Sequence, residues 1–397
     1  MPDTALMDLS GPIDWVARAT EVAPLIVAAI PRTEADRKVP SDVMAAMHQA
    51  GLFRMVIPRS VGGGEVPIPE LLQAIEVIAG ADASAGWCLA QGMGCSRSAA
   101  YLDRKIAQEI FGPPDAVLAW GPPAGPMKAI AVEGGYRVSG KWQFASGLMN
   151  ASWVGPTAPV FDQAGNKRIG ADGKPENRCF LMPKSAVTVN DVWQVVGLRG
   201  TGSNGFAADD VFVPEGCTFM RDSAAYRRED ALLYRIALTT YYGMAFASVA
   251  LGIARPALDA FLDLAATKIA THTSVVLRES PAVQREYAHV EAGLGSARAW
   301  LHERIRLLIE SGKMPEDWSP ADRARLRIAS TNAICKARDA VQWAYQAAGS
   351  AAIFDKNPFE KRLRDINAVA QQAQGQPVNF EHGAMVLMGL EVPGGRV

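Results

Sequence analysis

The chain has 397 residues, of which 49% are hydrophobic and 20% are charged, and its formal net charge at neutral pH is -1. This composition is typical of a folded globular protein with two or three packed units, and it excludes a disordered or fibrous chain. The balanced charge provides no general attraction to nucleic acid or to an anionic membrane, so neither is expected as a partner.

The cysteines and the N-terminal stretch predict a cytoplasmic protein. The five cysteines contain no CxxC pair and no spacing that suggests a disulfide framework, which suits a reducing compartment. The opening "MPDTALMDLSGPIDW" lacks the basic segment and apolar run of a signal peptide. No uninterrupted apolar run reaches the roughly 18 residues that a membrane-spanning helix needs.

Residues 1–117 are predicted to form an N-terminal α-helical domain. In "SDVMAAMHQAGLF", Ser41 is a candidate N-cap, and the apolar residues that follow it recur at helical spacing. The stretch that starts at Pro69 continues with Leu72 and Ile75 on one face, and then with small residues that suit close helix packing.

Residues 118–226 are predicted to form a β-domain, because short apolar runs alternate with clusters of Gly, Pro, Asn and Asp. In "GGYRVSGKWQFASGLMNASW" (134–153), the alternation that includes Trp142 and Phe144 predicts a strand with one buried face. The same alternation places Phe144 and Ser146 on one face of that strand.

Residues 227–397 are predicted to form a C-terminal helical bundle. Alanine-rich stretches of helical periodicity follow one another, and the first of them continues past Pro256. The predicted fold is therefore mainly α with a central β-domain, which is an uncommon order of elements.

Four motifs in this order resemble the acyl-CoA dehydrogenase superfamily over essentially the whole chain. They are "GGYRVSGKWQFASG", "GLRGTGSNGFAADDVFVPE", "AYQAAGS" and "KRLRDINAVAQ". The resemblance implies an N-terminal helical domain, a β-barrel or sandwich and a C-terminal four-helix bundle. It also implies FAD or FMN bound between the β-domain and the bundle, and a homotetramer.

By this resemblance, Phe144 packs on the flavin ring and Ser146 forms a hydrogen bond near its N5 atom. The residue types agree with that role, because a flavin needs an apolar slot for its flat ring and a few hydrogen-bond donors. From the local pattern alone, Phe144 is equally well explained as a core residue and Ser146 as the start of a turn.

A dehydrogenase of this superfamily needs a carboxylate base, and the chain lacks one at the family's positions. Eight residues after Asp365 of the "RD" motif stands Ala373. On the first long helix of the bundle, the only carboxylates are Asp259 and Asp263, which are more typical of a solvated stripe. The dehydrogenase interpretation therefore lacks its general base.

Another branch of the family, the group D flavin-dependent monooxygenases, is resembled more closely by "GGYRVSGKWQFASG" followed by "NASW" and by "SPAVQREYAHVEAGLGSARAWL". These monooxygenases are the oxygenase components of two-component systems. Such an enzyme receives reduced flavin (FADH2 or FMNH2) from a separate NAD(P)H-dependent flavin reductase and reacts it with O2 to form a C4a-hydroperoxyflavin. The expected substrate is a small molecule, and aromatic residues on the bundle helix favour an aromatic or heteroaromatic compound. The choice between FAD and FMN stays open.

The chain departs from this branch at two positions where members often carry histidines. Gln372 stands seven residues after Asp365, and Cys95 stands near the end of the "GWCLAQGMGC" helix. Glutamine can donate a hydrogen bond but cannot shuttle a proton. Ser146 and Gln372 are the predicted catalytic residues, and the proton donor or acceptor stays open.

The resemblance assigns further residues to the two sites. The predicted cofactor-binding residues are Trp120, Gly121, Phe144, Ser146, Gly147, Thr201, Ser203, Gln346, Gly349, Ser350 and Gln372. The predicted substrate-pocket residues are Cys95, Tyr241, Tyr242, Phe246 and His382. In the family, the "QAAGS" residues reach the flavin pyrophosphate, often of a neighbouring subunit.

Several of these residues can also be explained by purely structural roles. The glycine-rich stretch that contains Thr201 and Ser203 is as well explained as a tight turn between strands. Tyr241, Tyr242 and Phe246 are as well explained as core residues. None of the five histidines has the spacing of a metal ligand, so no metal is expected.

Two other functions remain as alternatives. One is an acyl-CoA dehydrogenase with a relocated base. The other is a non-catalytic flavin protein that associates with DNA, which would need a basic C-terminal surface; basic and acidic residues alternate there instead.

Overall fold

Helices begin and end the described chain, and the strands lie between them. The structure, a computed structural model, describes residues 13–170, 173–269 and 274–393. The helices are α1 (Trp15–Ala28), α2 (Ile30–Asp36), α3 (Ser41–Gln49), α4 (Ile68–Ala81), α5 (Ala83–Ser96), α6 (Arg104–Phe111), α7 (Leu232–Arg235), α8 (Leu238–Ala265), α9 (Pro281–Glu310), α10 (Pro320–Ala348), α11 (Phe359–Gln371) and α12 (Val378–Leu387).

The strands all fall within the region that was predicted to be β. They are β1 (Leu118–Ala119), β2 (Lys128–Val132), β3 (Gly135–Trp142), β4 (Trp153–Val154), β5 (Thr157–Phe161), β6 (Asn177–Phe180), β7 (Met182–Pro183), β8 (Thr188–Asn190), β9 (Gly205–Pro214) and β10 (Thr218–Phe219). The predicted fold class, mainly α with a central β-domain, is confirmed.

The described chain divides into two compact units. The first unit contains the described residues up to Ile68, together with Cys88–Gln194 and Arg199–Leu238. The second contains Pro69–Trp87, Val195–Leu198 and the described residues from Thr239 onward. The division of the sequence into segments 1–117, 118–226 and 227–397 stays a prediction.

A seven-stranded sheet forms the centre of the first unit, in the order β10-β6-β5-β2-β3-β9-β8. Strand β3 pairs antiparallel with β2 on one side and with β9 on the other. Trp142 at the end of β3 is buried, and its ring stacks on Phe206 at a centroid distance of 5.4 Å. Its indole N–H donates to the carbonyl of Thr157 at 3.0 Å, so the only polar atom of this core side chain is satisfied.

Strand β3 ends at Trp142, so the prediction that Phe144 and Ser146 lie on a strand face is wrong. Beyond Trp142 the backbone finds other partners: the Gln143 N–H donates to the Pro122 carbonyl, and the Ala145 N–H donates to the Asn204 carbonyl. The alternation of apolar and polar residues does not predict the sign of φ. The turn of the chain after Trp142 was therefore not visible in the sequence pattern.

Long helices form the second unit, in which α10 packs against α9, α11 and α12. Helix α8 has 28 residues and runs through Pro256, as predicted. In its most apolar window it is long and apolar enough to cross a membrane, but 72% of that window is buried inside the protein. Burial in a helical bundle accounts for such a composition.

Helix α11 carries a buried charge network in the second unit. Lys361 Nζ lies 2.7 Å from both the Asp82 and the Asp365 carboxylates. Asp365 also accepts a hydrogen bond from the Leu198 N–H at 2.7 Å. Burial alone would lower the pKa of Lys361, but the two carboxylates raise it above its ordinary value. The "KRLRD" motif therefore fixes the backbone of Leu198.

Close contact with helix α11 also explains why position 197 is glycine. A Cβ on Gly197 would lie 2.1 Å from the carbonyl oxygen of Arg364, so the backbone of this residue packs directly on helix α11. One of the five histidines, His272, lies outside the described residues, as does most of the N-terminal stretch that was examined for a signal peptide.

Candidate functional site

Phe144 lies in the turn after β3 in an uncommon conformation. Its φ is +54°, a left-handed value that a bulky residue rarely adopts, and 55% of its surface is exposed. The core explanation for this residue is therefore wrong. Strained backbone of this kind collects at ligand-binding turns, and an exposed aromatic ring offers a face to a flat ligand.

Ser146, two residues further on, ends a chain of three buried hydroxyl groups. Ser146 Oγ lies 2.7 Å from Ser203 Oγ, which lies 2.7 Å from Thr201 Oγ1. The Gly147 N–H donates to the Thr201 carbonyl at 2.8 Å, which holds the two turns together. The structure thus brings four of the predicted cofactor-binding residues into one cluster within the first unit.

Trp193 is a candidate site residue that the sequence analysis missed. Its ring stands edge-on to the ring of Phe144, at a centroid distance of 6.0 Å and an interplanar angle of 83°. The two rings form a corner at the surface of the first unit. The sequence offered one signal for Trp193, its position shortly before "GLRGTGSNG". The segment has no periodicity that would distinguish this tryptophan from a core residue.

Gly121 and Gly202 are glycines because backbone segments approach one another closely. A Cβ on Gly121 would lie 1.9 Å from the Gln143 carbonyl oxygen. A Cβ on Gly202, whose φ is +50°, would lie 3.0 Å from the Arg37 carbonyl oxygen. Both glycines therefore shape the turns that carry Phe144 and Ser203, and a role of Gly121 in direct cofactor binding stays a prediction.

Trp120 directly follows β1, outside the strand, and its ring has a protein partner. The guanidinium of Arg221 lies over this ring, 3.9 Å from its centroid. A small cavity beside the pair, of about 10 Å³, has room for roughly one water molecule. Contact between Trp120 and a cofactor stays a prediction.

Gln372 lies in the second unit, directly after α11, and within the described part of the chain only the oxygen of its side-chain amide forms a hydrogen bond. Its Oε1 accepts the Gln374 N–H at 2.7 Å, which fixes the orientation of the amide. Its Nε2 is buried and has no partner among the described residues. Buried donors are normally satisfied, so an unused one is a signal for a ligand or an ordered water.

Tyr241, Tyr242 and Phe246 begin helix α8 and belong to one aromatic stack. The rings of Tyr242 and Phe246 are parallel within 6° at 5.0 Å, and Phe246 stacks on Trp87 at 4.1 Å. Tyr241 meets Tyr242 edge-on at 5.6 Å. The structure therefore brings these three predicted residues together and adds Trp87 to them, all within the second unit.

Cys95 and His382, the remaining predicted substrate-pocket residues, lie in helices. Cys95 is fully buried in α5 and accepts a hydrogen bond from Gln91 Nε2 at 3.6 Å. His382 lies half-buried in α12. Their contact with a substrate stays a prediction.

Gln346, Gly349 and Ser350 lie exposed at the end of α10. Gly349 has a φ of +56° and forms the C-cap of this helix. Lys268 donates to the Ala348 carbonyl beside it. Exposure suits the predicted contact with a flavin of another subunit, which stays a prediction.

Among the described residues, no cluster of three or more His, Cys, Asp or Glu side chains that could hold a metal ion occurs. Two of the described histidines have structural partners. His48 packs on Phe53, and burial lowers its pKa; His302 pairs with Glu76 at 3.0 Å. All five cysteines are free.

A cavity of about 500 Å³ lies within the second unit between α4, α8 and α9. Its charged residues pair with one another: Arg255 donates to Glu291 at 2.8 Å, and Arg298 donates to Glu76 at 2.8 Å. None of the predicted site residues lines it, and its charges are already satisfied by the protein.

Comparisons with known proteins identify the family. The family models described as acyl-CoA dehydrogenase N-terminal domain and acyl-CoA dehydrogenase C-terminal domain match residues 18–102 and 244–377. The chain is 31% identical to the indole-3-acetate monooxygenase of Pseudomonas putida, over 90% of each chain. It is 30% identical to the oxygenase component of the FADH2-dependent resorcinol hydroxylase of a Rhizobium species, over 96% of this chain and 95% of that one.

The chain belongs to the flavin-dependent monooxygenases of the acyl-CoA dehydrogenase superfamily. The resemblance that the four motifs indicated is thus confirmed, as is the prediction of a flavin-dependent monooxygenase, an oxidoreductase that serves as an oxygenase component.

Solved structures share the fold. XiaF from a Streptomyces species, solved with FADH2 and glycerol, matches with a TM-score of 0.85 at 24% identity over 96% of each chain. The HsaA monooxygenase from M. tuberculosis matches with a TM-score of 0.84 at 24% identity, over 97% of this chain and 99% of that one. The acyl-CoA dehydrogenase-like fold is therefore confirmed.

Proposed function

We propose that this oxygenase component hydroxylates a small aromatic or heteroaromatic compound with reduced flavin and O2. Reduced flavin supplies two electrons; one oxygen atom enters the substrate and the other leaves as water. The named relatives act on ring compounds, indole-3-acetate in one case and resorcinol in the other. A separate flavin reductase completes the system, since the Rhizobium relative is named as an oxygenase component.

The observation that carries the proposal is the corner formed by Phe144 and Trp193. An exposed aromatic ring, held at a φ of +54° against a second ring, fits the face of a flat heteroaromatic group. Ser146, with its hydroxyl next to Ser203, would donate to or accept from a ring nitrogen there. These residues all belong to the first unit, and they would hold the flavin ring.

Two features of the second unit also have proposed roles, the amide of Gln372 and an aromatic stack. Gln372 Nε2 would donate a hydrogen bond to a bound oxygen or nitrogen atom, because its partner Gln374 leaves this side of the amide unused. The stack of Trp87, Phe246 and Tyr242 would provide an aromatic wall for the ring of the substrate.

The exposed end of α10 supports a homotetramer as part of the proposal. Gln346, Gly349 and Ser350 lie at the protein surface, where a second chain could bring its flavin against them. Surface exposure is what this role requires of residues that serve a neighbouring subunit.

The proposal is tested by product analysis. The purified chain is mixed with FADH2 or FMNH2, oxygen-18 gas, and indole-3-acetate or resorcinol as probes. We expect a hydroxylated product that contains one oxygen-18 atom, without any need for an acyl-CoA. Tightly bound oxidised flavin that is bleached by an acyl-CoA without oxygen would overturn the proposal and favour a dehydrogenase.

A further inference from the structure

Trp193 lies in a segment without helix or strand, and side chains hold its backbone. Residues 191–195 have no regular secondary structure. Asn204 Oδ1 accepts the N–H groups of Val192 and Trp193, each at 3.0 Å. On the other side, Arg37 Nη1 donates to the Trp193 carbonyl at 3.1 Å. Two side chains therefore provide the hydrogen bonds that a strand partner would otherwise supply.

Arg37 is itself fixed in place by a bidentate ion pair. Its two terminal nitrogens lie 2.7 Å from the two carboxylate oxygens of Asp191, two residues before Trp193. The hydrogen bonds from Arg37 hold the pKa of Asp191 below its ordinary value, so the pair stays charged at neutral pH. A planar guanidinium matches a carboxylate in this way and retains little freedom.

The backbone of Arg37 is also constrained. The residue ends helix α2 with a φ of +53°, and its carbonyl oxygen faces Gly202 at a distance that leaves little room for a Cβ. Helix α2 is thereby held against both the segment with Trp193 and the turn with Ser203. All of these contacts lie within the first unit.

We propose that Arg37 is a positioning residue for the aromatic corner of Phe144 and Trp193. Through its hydrogen bond to the Trp193 carbonyl, it fixes the Trp193 backbone and therefore the angle at which the indole meets Phe144. The inference rests on the proposed function, because the corner is where the flavin ring would bind. Arg37, which ends helix α2 and lies 156 residues before Trp193, therefore contributes to flavin affinity.

The test compares Arg37→Met with Arg32→Met, which is a matched control. Arg32 also forms a bidentate pair, with Asp42 at 2.7 and 3.1 Å, but it does not contact residues 191–193. The dissociation constants of FADH2 and FMNH2 are measured without oxygen. We expect Arg37→Met to weaken binding of the better ligand about tenfold, which corresponds to roughly 1.4 kcal/mol, and Arg32→Met to leave it unchanged.

A double-mutant cycle with Trp193→Ala gives a result that a merely structural role would not produce. If Arg37 acts through Trp193, Arg37→Met has no further effect on flavin binding in the Trp193→Ala background. Additive effects would overturn the inference. Should Arg37→Met fail to fold, Asp191→Asn replaces it in the cycle, with an expected loss of about threefold; equal binding by Asp191→Asn and wild type would also overturn it.

Phe144→Ala separates this inference from the proposed function. If Phe144→Ala weakens flavin binding and Arg37→Met does not, the flavin site stands and the role of Arg37 is wrong. If neither change affects binding, the corner is not the flavin site and both proposals fail.

Discussion

Phe144 is more than half exposed, although it lies in the turn directly after a strand whose own aromatic residues, Tyr136 and Trp142, are buried. Its backbone is held in the left-handed region by hydrogen bonds on both sides, to the Pro122 and Asn204 carbonyls. Ser146 follows in the same turn, with its hydroxyl joined to Ser203. In the proposed flavin site, Phe144 supplies the face of its ring and Ser146 supplies a hydroxyl group.

Ser146→Ala is expected to leave flavin binding nearly intact, because a neutral hydrogen bond contributes only about 0.5–1.5 kcal/mol. Its effect should appear in the reaction, where the hydroxyl orders the reacting face of the flavin. We expect the ratio of hydroxylated product to hydrogen peroxide to fall roughly threefold to tenfold. Both are measured per reduced flavin oxidised.

Ser152→Ala is the control for this change. Ser152 exchanges hydrogen bonds with the Val117 backbone in the same unit, outside the hydroxyl chain of Ser146. The control should keep the wild-type ratio. If Ser146→Ala keeps it as well, the serine is only a turn residue.

The sequence indicated Phe144 and Ser146 but not the geometry around them. Alternation along β3 and the small residues after it marked the segment, because polarity is visible in sequence. The positive φ of Phe144 and the contribution of Trp193 depend on Asn204 and Arg37, which are distant in the chain. No local pattern reports such partners.

Helix α11 shows what the "RD" motif does at the level of an element. Lys361 neutralises part of the charge of Asp82 and Asp365, and Asp365 in turn binds the Leu198 N–H. The motif was recognisable by resemblance alone, since nothing in the spacing of these residues reveals that Asp82 is their partner. The missing base at Ala373 also followed from the resemblance, because the family places its base eight residues after the aspartate of this motif.

Lys361→Met is expected to destabilise the protein by about 3–5 kcal/mol, because it removes the ion-pair partner of two buried carboxylates. The pKa of Lys361 is raised in the folded state, so its contribution is complete below about pH 10.4 and is lost as pH rises through the folded value. The free energy of unfolding in urea at neutral pH should therefore show the full loss.

Lys336→Met provides the comparison, because Lys336 forms an exposed pair with Asp339 at 3.8 Å. Removing an exposed pair should change the free energy of unfolding by less than about 1 kcal/mol. An equal effect of the two variants would mean that the α11 network does not stabilise the fold.

At the scale of the whole molecule, the order helix, strand, helix was predictable because each type of element has its own periodicity. The three long helices of the second unit were visible as alanine-rich stretches, and α8 continues through Pro256 as expected. Two or three packed units were expected, but the segments that make up each unit were not predicted, since residues such as Val195–Leu198 join a unit that is remote in sequence.

The proposed homotetramer predicts a mass in solution of four times the 42.4 kDa of one chain. Light scattering at micromolar concentration measures it, with and without flavin. A monomer under both conditions would contradict the tetramer and the assignment of Gln346, Gly349 and Ser350 to a neighbouring flavin.

The most direct test of the central claim is an anaerobic titration of wild type and Phe144→Ala with FADH2 and FMNH2. Because the ring of Phe144 is exposed, its removal should not change the unfolding temperature appreciably, whereas the flavin loses one face of its binding site. The account predicts saturable binding of at least one reduced flavin by the wild type and binding at least tenfold weaker by Phe144→Ala. Equal dissociation constants for the two proteins would contradict the claim that the flavin ring binds at this corner.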